Sequence, residues 1–178
     1  MARYYRLPNY LGSGGTNSKI PDAQAAYESA NNCMMAGFSG GNFVQQSFGL
    51  LDGILTISYD QFVIDNDIVG SCLRTLRGIE VTPETLAFDI INKVGPGGNF
   101  LTQSHTAKYV RGEHYYPWVS TKEDYKNWVR GGSRSTREVS SEIVMNILNK
   151  NGRKYIEGEM EEEIMAMFPQ IVQGVRVA

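Results

Sequence analysis

Apolar positions recur most regularly between Tyr59 and Arg77, where Phe62, Val69, Cys72, Leu73 and Leu76 fall at helical spacing. Arg74 and Arg77 occupy the last turn and Gly78 sits where a helix-ending glycine belongs, so the spacing predicts a helix over 59–77. The residues from Pro21 to Ala36 favour helix, and Gly37 can stop it. Thr82-Pro83-Glu84 supplies a cap, a first-position proline and a first-turn acid for a helix running to about Val94. Further helices are predicted from His105 to Arg111 and from a Thr121 cap through Tyr125 and Trp128 to Gly131. Ser135-Thr136-Arg137-Glu138 is a capping box opening another, with Val139, Ile143 and Ile147 on its core stripe and Lys150, Asn151 and Gly152 closing it. A last helix is expected from Glu157 to Val175, with Met160, Ile164, Met167 and Phe168 on one face. Short extended stretches are expected at 4–11 (with Pro8 inside), 42–46 and 99–101.

The first two extended stretches each run into a polar, glycine-rich loop and then a helix. The first loop is Gly12-Ser13-Gly14-Gly15-Thr16-Asn17-Ser18-Lys19 and the second is Ser47-Phe48-Gly49-Leu50-Leu51-Asp52-Gly53. Pro21 is read as the first helical residue, with Asp22 in the first turn, where negative charge suits the helix dipole. The order is strand, loop, helix, which makes βα units with their loops at the strands' C-terminal ends. In (β/α) barrels that end is the catalytic face. The same composition also suits a solvated connector.

Composition narrows the class. Of the 178 residues, 42% are hydrophobic and 20% charged, ordinary values for a globular protein with one core. A net charge of −2 offers no basic footprint and argues against a nucleic-acid partner. No apolar run approaches the roughly 18–20 residues of a membrane span, so no membrane partner is expected. The opening Met-Ala-Arg-Tyr-Tyr-Arg lacks the apolar core of a signal peptide. Cys33 and Cys72 match no metal-ligand spacing and are read as buried thiols in a reducing cytoplasm. No His/Cys/Asp cluster has ligand spacing, and no Ser-His or Cys-His pair is indicated. Gly95-Pro96-Gly97-Gly98 is neither a phosphate loop nor a dinucleotide fingerprint.

Several ordered stretches together resemble the C-terminal part of the trimethylamine methyltransferase family, corrinoid-dependent enzymes that include trimethylamine and glycine betaine methyltransferases. They are Ala2-Arg3-Tyr4-Tyr5 with Leu7-Pro8, the run from Gly14 to Ala25, Asp52-Gly53, and Asp65-Asn66-Asp67. Gly95 to Leu101 leading to His105-Thr106, Pro117-Trp118 and the helical tail complete the set. The resemblance implies the C-terminal part of a TIM (β/α)8 barrel, about three βα units over 1–111, followed by a helical extension over 112–178. It implies methyl transfer from a small methylated amine to Co(I) of a cobamide held by a separate, cognate corrinoid protein, with no cofactor bound tightly by this chain. Trimethylamine-specific members carry pyrrolysine in or beside the loop matching 14–19; this chain has only standard residues there, which points to a quaternary amine such as a betaine. A non-catalytic partial barrel serving assembly is the alternative. Three strands cannot close a barrel of eight. The rest of the barrel is therefore expected upstream, and self-association is expected of the open strand edge.

The residues expected to line the amine pocket are Gly14, Gly15, Thr16, Asn17, Ser18, Lys19, Gln46 and Asp52. Lys19 and the loop N–H groups could hold a substrate carboxylate, and Asp52 could balance a cationic nitrogen. Tyr5, Tyr10, Phe43 and Phe48 are candidates for a cation-binding cage, with core packing as the competing role for each. By resemblance Gly97, Gly98 and His105 face the corrinoid; by default the glycines end a helix and the histidine is structural.

Overall fold

The computed structural model describes residues 1–150 and 156–169. Its elements are α1 (Ala2–Tyr5), β1 (Tyr10–Gly12), α2 (Ala23–Phe38), β2 (Phe43–Gln45), β3 (Leu50–Leu51), β4 (Thr56–Ile57) and α3 (Tyr59–Arg77). There follow α4 (Pro83–Leu86), α5 (Phe88–Val94), α6 (Ser104–Glu113), α7 (Tyr125–Arg130), α8 (Thr136–Leu148) and α9 (Gly158–Met167). The fold is mixed and helix-rich, with few strands. No described helix is long and apolar enough to cross a membrane.

β1 and β2 pair in parallel, with Tyr10 opposite Phe43, Leu11 opposite Val44 and Gly12 opposite Gln45. α2 is the crossover between them, as parallel strands require. A Cβ on Gly41 would lie 3.0 Å from Leu11 Cδ1 and 3.4 Å from Val44 Cγ2, so these two side chains turn toward the α2 side. Alternation then sets Tyr10 and Phe43 side by side on the opposite face, each 64% exposed.

Several elements differ from the sequence expectation, each for a local reason. Only residues 10–12 of the 4–11 stretch form a strand, and residues 2–5 make one helical turn ended by Arg6 at φ 56°. The 99–101 stretch is a 3-10 turn at Phe100–Thr102, because the Asn99 side chain accepts from Leu101 N–H at 2.9 Å and curls the backbone. The third parallel strand is thus absent there. The second glycine-rich loop contains an antiparallel hairpin, β3 with β4, before α3 begins. Asp22 is itself the N-cap of α2, accepting from Ala25 N–H, so Pro21 precedes the helix. α7 is capped by Asp124 and not Thr121, whose hydroxyl accepts from Glu123 N–H instead. The helix expected over 82–94 is divided by Ala87, at φ 53°, into α4 and α5. The Ser135/Glu138 capping box is present. α8 ends at Leu148 with Asn149 as its C-cap, so Lys150 lies past the helix and not in its last turn, and α9 ends at Met167 with Phe168 as its C-cap, short of the expected Val175; Asn151 and Gly152 lie outside the described residues.

Small side chains on α2 let α3 approach: Ala25, Ser29 and Ala36 are buried. Two carboxylates then tie α3 to its surroundings. Asp65, fully buried, accepts from Ser29 Oγ (2.7 Å), Gln61 Nε2 (2.8 Å) and Gly49 N–H (2.7 Å), joining α2, α3 and the second loop. Desolvation pushes its carboxyl above the usual range, and those three donors pull the other way. Asp67, 5% exposed, accepts from Tyr115 O–H (3.0 Å) and the amides of Trp118 (2.8 Å) and Val119 (2.8 Å). Gly70 leaves room for the Tyr115 ring, which an added Cβ would meet at 2.4 Å. Arg74 and Arg77 both pair with Glu113, and Ser141 donates to Asp60 at 2.9 Å. Residues 112–120 and α8 are therefore fastened to α3 largely by polar contacts.

Candidate functional site

The two glycine-rich loops fold against each other at the C-terminal ends of β1 and β2. Ladder bonding continues past the strands: Ser13 N–H donates to Gln45 O at 3.2 Å and Gly14 N–H to Gln46 O at 2.7 Å. Gly53 N–H then donates to Thr16 O (2.9 Å) and Asp52 N–H to Ser18 O (2.8 Å), and the Ser13 and Ser47 hydroxyls meet at 2.8 Å. Gly14 is required by this approach. A Cβ there would stand 2.4 Å from the Ser47 carbonyl carbon and 2.6 Å from Gln46 O.

The loop's polar residues divide into two sets. Thr16 and Ser18 are buried and structural: Thr16 Oγ1 donates to Glu28 Oε2 (2.5 Å), and Ser18 Oγ bonds Ile20 O and Asp22 Oδ1. Glu28, from the second turn of α2, also accepts from Asn17 N–H at 2.8 Å. It was not foreseen from the sequence, where its position in a helix marks it only as a solvated acid. Asn17, Lys19 and Gln46 are exposed, and Lys19 pairs with Asp52 at 3.1 Å. Gln46 Oε1 lies over Gly12, and Asn17 Oδ1 lies over Gly53. Gly15 sits between the two sets, with its carbonyl accepting from Asn32 Nδ2 at 3.0 Å. Asn17, Lys19 and Asp52 thus lie together on the open side, or rim, Gln46 lies over Gly12 on the first loop, and the other four expected residues shape that loop.

The rim is backed by strained backbone. Gln46 (φ 54°), Asp52 (φ 51°) and Ile54 (φ 77°) are all left-handed, as is Gly53 between the last two. For a β-branched residue such as Ile54 this is a genuine outlier. Such strain, of order 1–3 kcal/mol per residue, persists where surrounding contacts over-determine it and clusters at functional sites.

Glu28 makes the loop sensitive to pH. The Thr16 hydroxyl, followed by the Asn17 amide and Gln24, holds its carboxyl below the usual carboxylate range. A folded pKa below the unfolded one gives stabilisation that is present above the ordinary value of 4.5 and lost as pH falls through the folded pKa. Amide exchange at Asn17, corrected for intrinsic pH dependence, is therefore expected to accelerate as pH falls below the ordinary carboxylate value of 4.5 and through the lower folded one. In Glu28→Gln the acceleration should be absent, since no carboxylate remains to titrate.

The aromatic candidates disperse. Tyr10 and Phe43 sit together on the open strand face, Phe48 stacks on Phe62 (centroids 5.3 Å apart), and Tyr5 packs edge-on against Tyr4. They form no common cage. Gly97 lies in the turn after α5, at φ 75°. A Cβ on Gly98 would collide with Val94 O at 2.3 Å. His105 Nε2–H donates to Glu84 O at 2.9 Å, with its ring against Tyr109. This places His105 beside a second cleft of about 510 Å³ that also carries the Lys108–Glu84 ion pair. Among the described residues no hydrogen bond or ion pair joins this group to the 12–19 loop.

A cavity of about 870 Å³ lies between α2, α3 and residues 115–137, lined by none of Asn17, Lys19, Gln46 and Asp52. On its wall Asp67 accepts from Tyr115 O–H and the Trp118 and Val119 amides, and burial together with that carboxylate pushes the Tyr115 hydroxyl up to about 12. No group of three or more His, Cys, Asp or Glu among the described residues could hold a metal ion.

A family model described as trimethylamine methyltransferase matches residues 1–170. A glycine betaine methyltransferase of Desulfitobacterium hafniense (strain Y51) is 42% identical over 130 residues, covering 73% of this chain and 27% of that protein. A trimethylamine methyltransferase of Methanosarcina mazei is 32% identical over 167 residues, covering 94% of this chain and 33% of its own length. Another, from Desulfitobacterium hafniense (strain DSM 10664 / DCB-2), is 32% identical over 173 residues, with coverages of 97% and 34%. The chain spans about a third or less of these relatives and matches their C-terminal part.

Proposed function

Because the chain belongs to the trimethylamine methyltransferase family, we propose that it is the C-terminal part of an amine methyltransferase acting on a quaternary or tertiary methylamine. The methyl group passes to Co(I) of a cobamide that a separate corrinoid protein brings as co-substrate. From a quaternary donor the methyl would pass to the Co(I) co-substrate while the C–N bonding electrons leave on a neutral amine; a tertiary donor would first need a proton on nitrogen. A quaternary nitrogen leaves as a neutral amine and needs no further activation. That chemistry, the standard residues at 14–19 and the 42% identity to a protein named for glycine betaine favour a betaine-type donor.

One observation carries the reading: the loops bearing Asn17, Lys19, Gln46 and Asp52 fold against each other at the C-terminal ends of two neighbouring parallel strands, with Lys19 paired to Asp52. Ligands of parallel α/β folds bind at that end. In this reading residues 1–111 are βα units of an eight-stranded barrel, and 112–178 form a helical extension packed on them. The Lys19–Asp52 pair opens on binding, the ammonium meeting a substrate carboxylate and the carboxylate meeting the cationic nitrogen. Gly97, Gly98 and His105 belong to the side that meets the corrinoid protein.

The test is methyl transfer from glycine betaine to cob(I)alamin, followed by absorbance at the cobalt, in enzyme assembled with the upstream βα units. Gln46→Ala and Lys19→Ala should each lower kcat/KM about 10–100-fold, the usual cost of misplacing a substrate. Unchanged turnover in both would remove the rim from the mechanism. The open two-stranded sheet favours a second reading, an assembly module inactive by itself. Full activity of the isolated 178 residues would dispose of that alternative.

A further inference from the structure

The seam between α2 and α3 brings together the chain's two sulfhydryl groups. Contacts along it advance in step on both helices: Ser29 Oγ meets Asp65 Oδ1 at 2.7 Å, and further along a Cβ on Gly37 would meet Leu76 Cδ1 at 2.2 Å. The helices therefore run parallel and close, with the buried small residues Ala25, Ser29 and Ala36 on α2 permitting the approach. Residues four apart share a helix face. Cys33 is four residues from both Ser29 and Gly37, and Cys72 is four residues before Leu76, so both fall on the facing sides between those two contacts.

The atoms agree with that register. Cys72 Sγ lies 3.9 Å from Ala30 O, a carbonyl that points along α2 toward the turn carrying Cys33. Burial, and after it the neighbouring Cys33 thiol, pushes the Cys72 thiol up to about 12. Cys72 is 4% exposed and stands on the wall of the cavity of about 870 Å³, whereas Cys33 is only half-buried. One sulfur is thus open to a small reagent and the other is held behind it.

We propose that Cys33 and Cys72 form a reversible redox site, closing to a disulfide between α2 and α3 by exchange with a low-molecular-weight disulfide such as oxidised glutathione. The Cys33 thiolate attacks one sulfur of the small disulfide, whose S–S bond breaks and releases the first small thiolate. That thiolate takes up the Cys72 proton. The Cys72 sulfur then attacks Cys33 Sγ and expels the second small thiol. Two protein thiols are oxidised to one disulfide, and the small disulfide is reduced to two thiols. The link would join the helices that hold both glycine-rich loops, since Glu28 of α2 fastens the first and Asp65 of α3 the second. The proposal is independent of the methyltransferase reading.

The experiment equilibrates the reduced 178-residue chain in glutathione buffers of graded ratio, native and in denaturing urea, and reads the acid-quenched products by intact mass and non-reducing peptide mapping. The expected product is a monomer about 2 Da lighter with Cys33 joined to Cys72. Its equilibrium constant should be at least tenfold larger in native buffer than in urea, because the fold already holds the sulfurs together. Each tenfold should raise Tm by about 3–6 °C, reversibly with reductant. Cys33→Ser should abolish both effects. Equal constants in the two buffers would overturn the proposal, as would a lasting glutathione adduct on Cys33 without ring closure, or disulfides formed only between chains.

Discussion

Asp67→Ala is expected to lower the free energy of unfolding by roughly 3–5 kcal/mol, because the Tyr115 hydroxyl and the Trp118 and Val119 amides all lose their acceptor inside the protein. Solvent does not reach this site readily, since Val119 and Asp67 are each about 5% exposed. The loss should appear in urea unfolding at neutral pH as a lower midpoint with little change in slope. Trp118 fluorescence should also change in the native baseline, reporting release of the 115–120 segment before the rest unfolds. Asp67→Asn keeps one acceptor oxygen but turns an N–H₂ toward amide donors, and should fall between the two. A cost below about 1 kcal/mol for the alanine variant would show that this carboxylate is not what fastens the 115–120 segment to α3.

Gly14→Ala is the second large effect. Its methyl group would overlap backbone atoms of Gln46 and Ser47, which cannot swing aside as a side-chain tip can. Overpacking typically costs ~1–3 kcal/mol, and here the upper end or more is expected. At 178 residues each kcal/mol corresponds to about 2–4 °C in Tm. Gly15→Ala is the matched control: its Cβ would meet only the Ile54 side chain, Cγ1 at 3.6 Å and Cδ1 at 3.9 Å, ordinary contacts. A large difference between the neighbours would establish that the two loops are locked at Gly14. Equal tolerance would mean that they separate easily.

Helices were legible in the sequence where periodicity and caps agreed. α3 was recognised to the residue by its apolar spacing and its terminal arginines and glycine, and α8 by its capping box. Strands were less legible. Three-residue strands carry no alternation to read, and at Asn99 a side chain competing for the backbone decided the outcome.

The site was legible as a composition and not as a geometry. A run of small polar residues marked the 12–19 loop, but nothing in it separates the inward Thr16 and Ser18 from the outward Asn17 and Lys19. That division follows from Glu28, a full helical turn into α2, reaching back to the loop. The buried pair Asp65 and Asp67 was part of the family resemblance, yet apart from Gln61 its partners lie 16 to 53 residues away in sequence. Contacts over such separations leave no local pattern.

The most direct test of the rim is to map glycine betaine onto the assembled enzyme by amide chemical-shift perturbation. Saturable shifts concentrated at Asn17, Lys19, Gln46 and Asp52, abolished by Gln46→Ala, are the expected result. Shifts confined to the cleft lined by Ile68, Val119 and Lys122, or to the surroundings of His105, would contradict the account.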